Sequence, residues 1–284
     1  MELVNKVAVV TGAGSGIGRA ISLELADRGC ALAISDINES SATETARHAE
    51  ALGAKVVAHE LNVADRDAVT EYARQVVDTF GEVNILINNA GISCTADPVA
   101  EGNRTDFDRV MDINLGGVVN GTFAFLPSLI ESGDGALVNI SSLNGIVAQP
   151  GMSSYCASKF AVRGFTEVVR AEMIVSGANV QVAVVHPGGV ATNIATSGLE
   201  RAQAETREVT AAQRARVRMY NEKFLRMDPK KAARIIADGI ESGRPRIIVG
   251  NDARAFDALA RMVPKLMPKL MGKAEKRMFS GAQR

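Results

Sequence analysis

Val7-Ala8-Val9-Val10-Thr11-Gly12-Ala13-Gly14-Ser15-Gly16-Ile17-Gly18 is the stretch on which the fold turns. Val7–Val10 is a short apolar run of the kind that forms a buried strand, and Gly18–Arg28 carries helix-forming residues at helical spacing. The glycines between them permit a tight turn, a close backbone approach to an anion and tight helix packing. A helix beginning there points free N–H groups and the positive end of its dipole at a phosphate. Strand, glycine turn and helix in immediate succession therefore read as a phosphate cradle opening a βαβ unit.

The same alternation continues along the chain. Apolar runs recur at Ala31–Ser35, Lys55–Glu60, Val83–Ile87, Ala136–Ile140, Val180–Val185 and Arg246–Val249, each bounded by Gly, Asn or Asp. Helix-forming stretches such as Ser40–Leu52 separate them. Repeated strand–helix alternation predicts an α/β fold, a doubly wound parallel sheet with helices on both faces. One domain is expected over residues 1–250, followed by an extension over 251–284. Asp36 ends the second strand. A carboxylate there accepts hydrogen bonds from an adenosine ribose and repels a 2′-phosphate, which favours NAD over NADP.

Composition narrows the function classes. The 284 residues balance 32 basic against 32 acidic side chains, so nothing points to nucleic acid. Cys30, Cys94 and Cys156 have no metal or disulfide spacing and fit a reducing compartment. His48, His59 and His186 are isolated, so no metal site is expected. No basic leader segment precedes the first strand and no apolar run of membrane-spanning length is evident, so a cytoplasmic location is expected.

Further motifs follow in order: Asn88-Asn89-Ala90-Gly91 after the fourth strand, Asn114 in Met111-Asp112-Ile113-Asn114, Ser142 in Asn139-Ile140-Ser141-Ser142, Tyr155-Cys156-Ala157-Ser158-Lys159, and Pro187-Gly188 with Thr192 soon after. With the spacing Gly12-x-x-x-Gly16-x-Gly18, this set resembles the short-chain dehydrogenase/reductase family, in its shorter, single-domain branch, over roughly residues 1–250. The resemblance implies a seven-stranded Rossmann sheet in the order 3-2-1-4-5-6-7. It implies that Gly12, Gly14, Ser15, Gly16, Ile17 and Gly18 surround the cofactor diphosphate, with Asp36 on the ribose. Asn62 and Val63 would lie near the adenine, and Asn89, Ala90 and Gly91 near the adenosine ribose. Asn62 stands where the family more often has aspartate. Pro187, Gly188, Val190 and Thr192 would pass the nicotinamide carboxamide and the diphosphate.

Tyr155 and Lys159 lie four apart on an expected helix and so share a face. A tyrosine with a pKa near about 10 is a poor base at neutral pH. A neighbouring ammonium is expected to lower that value, letting the phenolate take an alcohol proton as hydride leaves for a nicotinamide. By the resemblance, Lys159 also binds the nicotinamide ribose, and Asn114 holds a water in a proton relay. Ser142 is expected to hold the substrate oxygen. Ser142 is preferred to Ser141 because its separation from Tyr155 matches the family pattern. His186 and Cys156 are read as packing residues.

The expected activity is NAD-dependent oxidation of a secondary alcohol, or reduction of a ketone, on a small lipophilic substrate. Val147, Ala148 and Met152 suggest an apolar pocket, and the polar stretch Thr192–Asp228 a lid. Two alternatives are an NADP-dependent 3-ketoacyl reductase and a cofactor-sensing protein without turnover. Ser15 and Asp36 speak against the first, and the presence of both Tyr155 and Lys159 against the second. The apolar run Val118–Leu129 is consistent with a homodimer or homotetramer. Residues 261–284 hold seven basic side chains and one acidic one, with Met262, Leu266, Met267, Leu270 and Met271 between. This basic amphipathic segment is expected to pack over the cleft or against a second subunit, with peripheral membrane contact the weaker alternative. Pro264 and Pro268 are expected to interrupt it.

Overall fold

The computed structural model describes residues 1–279; the last part of the tail expectation, 280–284, lies outside the described residues. The strands are β1 (Val7–Thr11), β2 (Ala31–Asp36), β3 (Val56–Glu60), β4 (Ile85–Asn88), β5 (Gly135–Ile140), β6 (Val180–Pro187) and β7 (Arg246–Val249). They form one seven-stranded parallel sheet in the order β3-β2-β1-β4-β5-β6-β7, as the resemblance implies. Val9 stands between Ala33 of β2 and Leu86 of β4, which fixes the central register. The order reverses between β1 and β4. Such a reversal opens a crevice at the carboxyl ends of the strands, where α/β sheets place their ligands.

The helices are α1 (Gly16–Asp27), α2 (Glu39–Glu50), α3 (Arg66–Phe80), α4 (Arg104–Met111), α5 (Gly117–Glu131), α6 (Ser153–Ser176), α7 (Ile194–Ala204), α8 (Ala211–Met219), α9 (Pro229–Glu241), α10 (Asn251–Met262) and α11 (Met267–Phe279). Successive strand residues serve opposite layers, as the two-residue period of a strand requires. Ala8, Val10, Leu32, Ile34 and Ile87 pack with Ile21 and Leu25 of α1 and Ile236 and Ile240 of α9. Val9, Ala33, Leu86 and Leu137 pack with Val76 of α3, Phe125 and Leu129 of α5, and Val169 and Met173 of α6. Strands buried on both faces explain why the sequence shows continuous apolar runs rather than alternation.

Two expectations need correction. Arg104–Glu131 is one helix of 28 residues that passes a membrane-span test of length and composition. Val118, Phe125 and Leu129 are nevertheless buried in the protein layer, alongside buried Asn114 and Thr122, while Phe123 and Ile130 on the same helix are exposed. In the tail, the break falls at Val263 and Pro264, whereas Pro268 sits in the first turn of α11, where a missing N–H costs nothing.

The stretch expected as a lid forms α7, α8 and a π-helical turn at Tyr220–Phe224, a turn that the helical periodicity of the sequence does not reveal. The tail adheres to the domain. Arg246 of β7 donates to Asp257 of α10 at 2.5 Å, and Arg216 of α8 pairs with Glu275 of α11 at 2.6 Å.

Candidate active site

The glycine turn is built by close approach. A Cβ on Gly18 would lie 2.0 Å from the Gly12 carbonyl oxygen, and one on Gly12 would lie 2.7 Å from Ala90 Cα. Gly12 and Gly16 also adopt left-handed φ of 64° and 53°. Ser15 caps α1 without a side-chain bond, so the first turn's N–H groups are not covered by a capping side chain. A Cβ at Gly16 would lie 3.1 Å from the Thr192 methyl, placing the start of the lid over this turn. The shape and the open helix terminus suit a diphosphate.

Asp36 flanks the cradle. Its carboxylate accepts from Gly14 N at 2.8 Å and Asn38 N at 3.0 Å, and a Cβ on Gly14 would collide with it at 2.8 Å. Arg19, the nearest turn's cation, is engaged by Glu44 at 2.7 Å. Exposed Asn62 follows β3 and turns its Oδ1 to Ala64 N at 3.1 Å, while buried Val63 packs on Gly117. Asn89 donates its amide to the carbonyls of Thr11 and Gly12, holding the turn rather than pointing away from it. Gly188 N reaches Val249 O, and Val190 bridges to Met227 of the lid base.

The residues expected to carry chemistry converge at the end of β5 and the start of α6. Tyr155 and Lys159 are both almost fully buried, and Lys159 Nζ lies 5.8 Å from the Tyr155 ring centre. Lys159 Nζ donates to the Ile140 carbonyl at 2.9 Å. Ser142 hydrogen-bonds the Tyr155 hydroxyl and also accepts from Asn144 N at 3.1 Å. Ser141 points elsewhere, donating to the Lys159 carbonyl at 2.8 Å, so the two serines are distinguished by direction. Asn114 lies in a π-helical turn, Asp112–Gly116, of the kind that often marks functional positions. It accepts from Ile92 N at 2.8 Å and donates to Ser158 Oγ at 3.1 Å. A Cβ on Gly91 would lie 3.1 Å from Asn114 Oδ1 and 3.4 Å from Lys159 Nζ, so all three adjoin.

The model of the family described as short chain dehydrogenase matches residues 6–203. This chain belongs to that family. It is 43% identical over 278 residues to SadH of Mycobacterium tuberculosis, named as an oxidoreductase, with 98% of each chain covered. It is 37% identical over 203 residues to the 3-oxoacyl-[acyl-carrier-protein] reductase FabG of Thermotoga maritima, covering 72% of this chain and 81% of that protein. The crystal structure of a short chain dehydrogenase/reductase from Burkholderia phymatum in complex with NAD superposes with a TM-score of 0.86 at 29% identity, covering 94% of this chain and 96% of that one.

Within this dehydrogenase framework several supports escaped the sequence reading. Thr11 Oγ1 accepts from the N–H groups of both Asn89 and Ala90, tying β4's end to β1. Asn88 donates to Asn139 at 2.9 Å, and Asn139 to Thr166 at 3.0 Å, a buried polar chain linking β4, β5 and α6. Ser158 joins Asn114 to the Tyr155 carbonyl. His186 is more than packing: its Nδ1 lies 2.9 Å from the Ser142 carbonyl, and burial pulls its pKa down to about 4, so the ring is neutral and Nδ1 donates. Short serine, threonine and asparagine side chains read alike in turns and in cores, so only their neighbours identify these roles.

One expectation fails. Tyr155 is not lowered by Lys159; burial raises it to about 12, opposed by the Ser142 bond. Burial likewise lowers Lys159 to about 8 from 10.5. Loss of water around the charged form is the leading cause for both groups. Between those two lysine values the unfolded chain binds the extra proton, so this group's contribution to stability rises with pH across that window. Urea unfolding of the wild type and Lys159→Met should therefore show a difference that shifts in favour of the wild type from about pH 8 to about pH 10. A pH-independent difference would mean that the ammonium is solvated in the folded chain.

Proposed function

We propose that this dehydrogenase is NAD-dependent and transfers a hydride between the nicotinamide and a secondary alcohol or ketone, with Tyr155 as acid/base. The observation that carries the reading is the meeting of Ser142, Tyr155 and Lys159 at the carboxyl edge of the same sheet that presents the glycine cradle and Asp36. NAD, when bound, supplies the carbon that accepts or returns the hydride. Ser142 holds the substrate oxygen and stabilises charge developing on it. Tyr155 takes the alcohol proton in oxidation and gives it back in reduction. Lys159 spends one donor on Ile140 and retains others for ribose hydroxyls, and its ammonium lies over the ring that must become anionic. We further infer that Asn114, beside Gly91 and Lys159, holds a water that passes the proton to solvent.

A neutral, lipophilic substrate fits the surroundings. The polar groups of the lid are committed to protein: Arg207 to Asp106 at 3.2 Å, Arg201 to the Ser93 carbonyl at 2.5 Å, Gln213 to Asp97 at 2.6 Å. Arg216 is engaged with Pro150 and Glu275. These groups leave no evident clamp for a substrate carboxylate, and buried Val147 is among the apolar residues nearby. The likeness to the Thermotoga reductase favours a 3-ketoacyl substrate with NADP as a second reading; the carboxylate of Asp36 and the engagement of Arg19 weigh against the 2′-phosphate. A cofactor sensor without turnover would have no use for the buried Tyr155–Lys159 pair.

Exposed Phe123 of α5 and Phe160 and Val168 of α6 form apolar surface suited to a second subunit, so a homodimer or homotetramer is part of the proposal. The unpaired thiols of Cys30, Cys94 and Cys156 favour a cytoplasmic location.

Three outcomes check this. Tyr155→Phe should leave NAD affinity nearly unchanged and reduce turnover by at least about a hundredfold; activity within a few-fold of wild type refutes the acid/base role. NAD should be strongly preferred to NADP in kcat/KM, and Asp36→Ala should narrow that preference mainly by weakening NAD; equal use by the wild type refutes the Asp36 assignment. Light scattering at micromolar concentration should give a dimer or tetramer, and a monomer refutes the assembly.

A further inference from the structure

The chain carries equal numbers of acidic and basic side chains, yet its C-terminal helices segregate them. The acids turn inward. Asp257 of α10 accepts from Arg246 and Arg261, and Glu275 of α11 pairs with Arg216 of the lid helix at 2.6 Å. The lysines turn outward. Lys265, Lys269, Lys273 and Lys276 are all exposed and make no ion pair among the described residues. Lys269, Lys273 and Lys276, spaced four and three, lie along one side of α11, and Lys265 lies in the turn just before it.

The same segment leaves apolar side chains uncovered: Met262 at the end of α10 at 72% exposure, Leu266 in the turn at 49% and Leu270 of α11 at 41%. Leu266 and Leu270 are four apart and so neighbours on the surface, and buried Met267, three before Leu270, marks the edge at which this face turns into the domain. The inner face thus holds α11 to the lid, and the outer face presents a lysine row edged with leucine and methionine.

We propose that this outer face docks on an anionic phospholipid surface, with the lysines at the headgroups and Met262, Leu266 and Leu270 at the acyl boundary. A bare protein partner would need an acidic surface with an apolar seam; a bilayer supplies both chemistries in layers along a helix lying in its plane. The placement has a consequence for the site. Arg216, which holds α11 through Glu275, also donates to the Pro150 carbonyl at 2.5 Å, just before Tyr155's helix. The helix that docks is therefore the one whose inner face packs on the lid, so docking brings the lid close to the membrane surface. The docking itself does not depend on the proposed activity.

The test is flotation of the full chain with vesicles of phosphatidylcholine and phosphatidylglycerol in a three-to-one ratio, and with phosphatidylcholine alone. The wild type should float with the anionic vesicles at low salt and not with the neutral ones. Replacing Lys265, Lys269, Lys273 and Lys276 together by Glu should cut vesicle partitioning by at least about tenfold. The circular dichroism spectrum and thermal midpoint of the variant should match the wild type's, which shows the variant folded. Leu266→Ser with Leu270→Ser, charges intact, should also weaken flotation. Failure of the wild type to float, equal flotation of the Glu variant, or a change of oligomer size in the variants overturns the proposal, the last because it would show a second copy covering this face.

Discussion

The contact between Gly18 and the Gly12 carbonyl is the constraint from which the rest is registered. At a Cβ-to-oxygen separation of 2.0 Å only glycine allows α1 to start where it does, directly over the end of β1. The same turn is held from the other side by Asn89, whose amide bonds the carbonyls of Thr11 and Gly12, and by the Thr11 hydroxyl, which collects two N–H groups of the β4 end. Three pieces of backbone are thereby fixed around one open helix terminus. Asp36 is tied to that turn through Gly14, and Thr192 closes against it through Gly16. Displacing α1 by a single methyl group would move the glycine turn and Asp36 together.

The reacting half is held by a different device, buried polar chains. Asn88, Asn139 and Thr166 tie β4 and β5 to α6, while Asn114 and Ser158 tie the π-helical turn to the backbone of Tyr155. Such networks are costly unless satisfied, and satisfied ones fix a unique geometry. His186 adds a bond to the carbonyl of Ser142, whose hydroxyl meets Tyr155. The burial that orders these groups also raises Tyr155 and lowers Lys159, so both sit with their charged forms disfavoured until a ligand changes the surroundings.

Much of this was legible from residue order. Central strands buried on both faces appear as uninterrupted Val, Ile and Leu runs such as Val7–Val10 and Val180–Val185, while the half-covered edge strands β3 and β7 show shorter ones between the helical stretches. Glycine at 12, 16 and 18 marks the close approach of β1 and α1, because the contacts and left-handed backbone there disfavour any side chain, and Asp36 sets a carboxylate beside that turn. The supports were not legible: Thr11, Ser158 and Asn139 resemble any turn or core polar residue until their partners are known. The π-helical turn at Asn114 was hidden because the helix on either side has ordinary periodicity. The direction of the Tyr155 shift is not legible in the sequence, because spacing reveals the neighbouring ammonium but not the loss of water around the phenol.

The central claim is that Tyr155, Ser142 and Lys159 deprotonate an alcohol while its carbinol hydride passes to NAD. It is tested most directly by isotope transfer. A panel of secondary alcohols deuterated at the carbinol carbon, cyclohexanol among them, is incubated with the wild-type chain and NAD, and the reduced cofactor is analysed by mass spectrometry for label and by proton NMR for the face that carries it. The account predicts that at least one alcohol delivers its deuterium to the nicotinamide ring, on a single face, with the matching ketone formed in equal amount. Ketone formation with unlabelled reduced cofactor would contradict direct hydride transfer and with it the role assigned to this site.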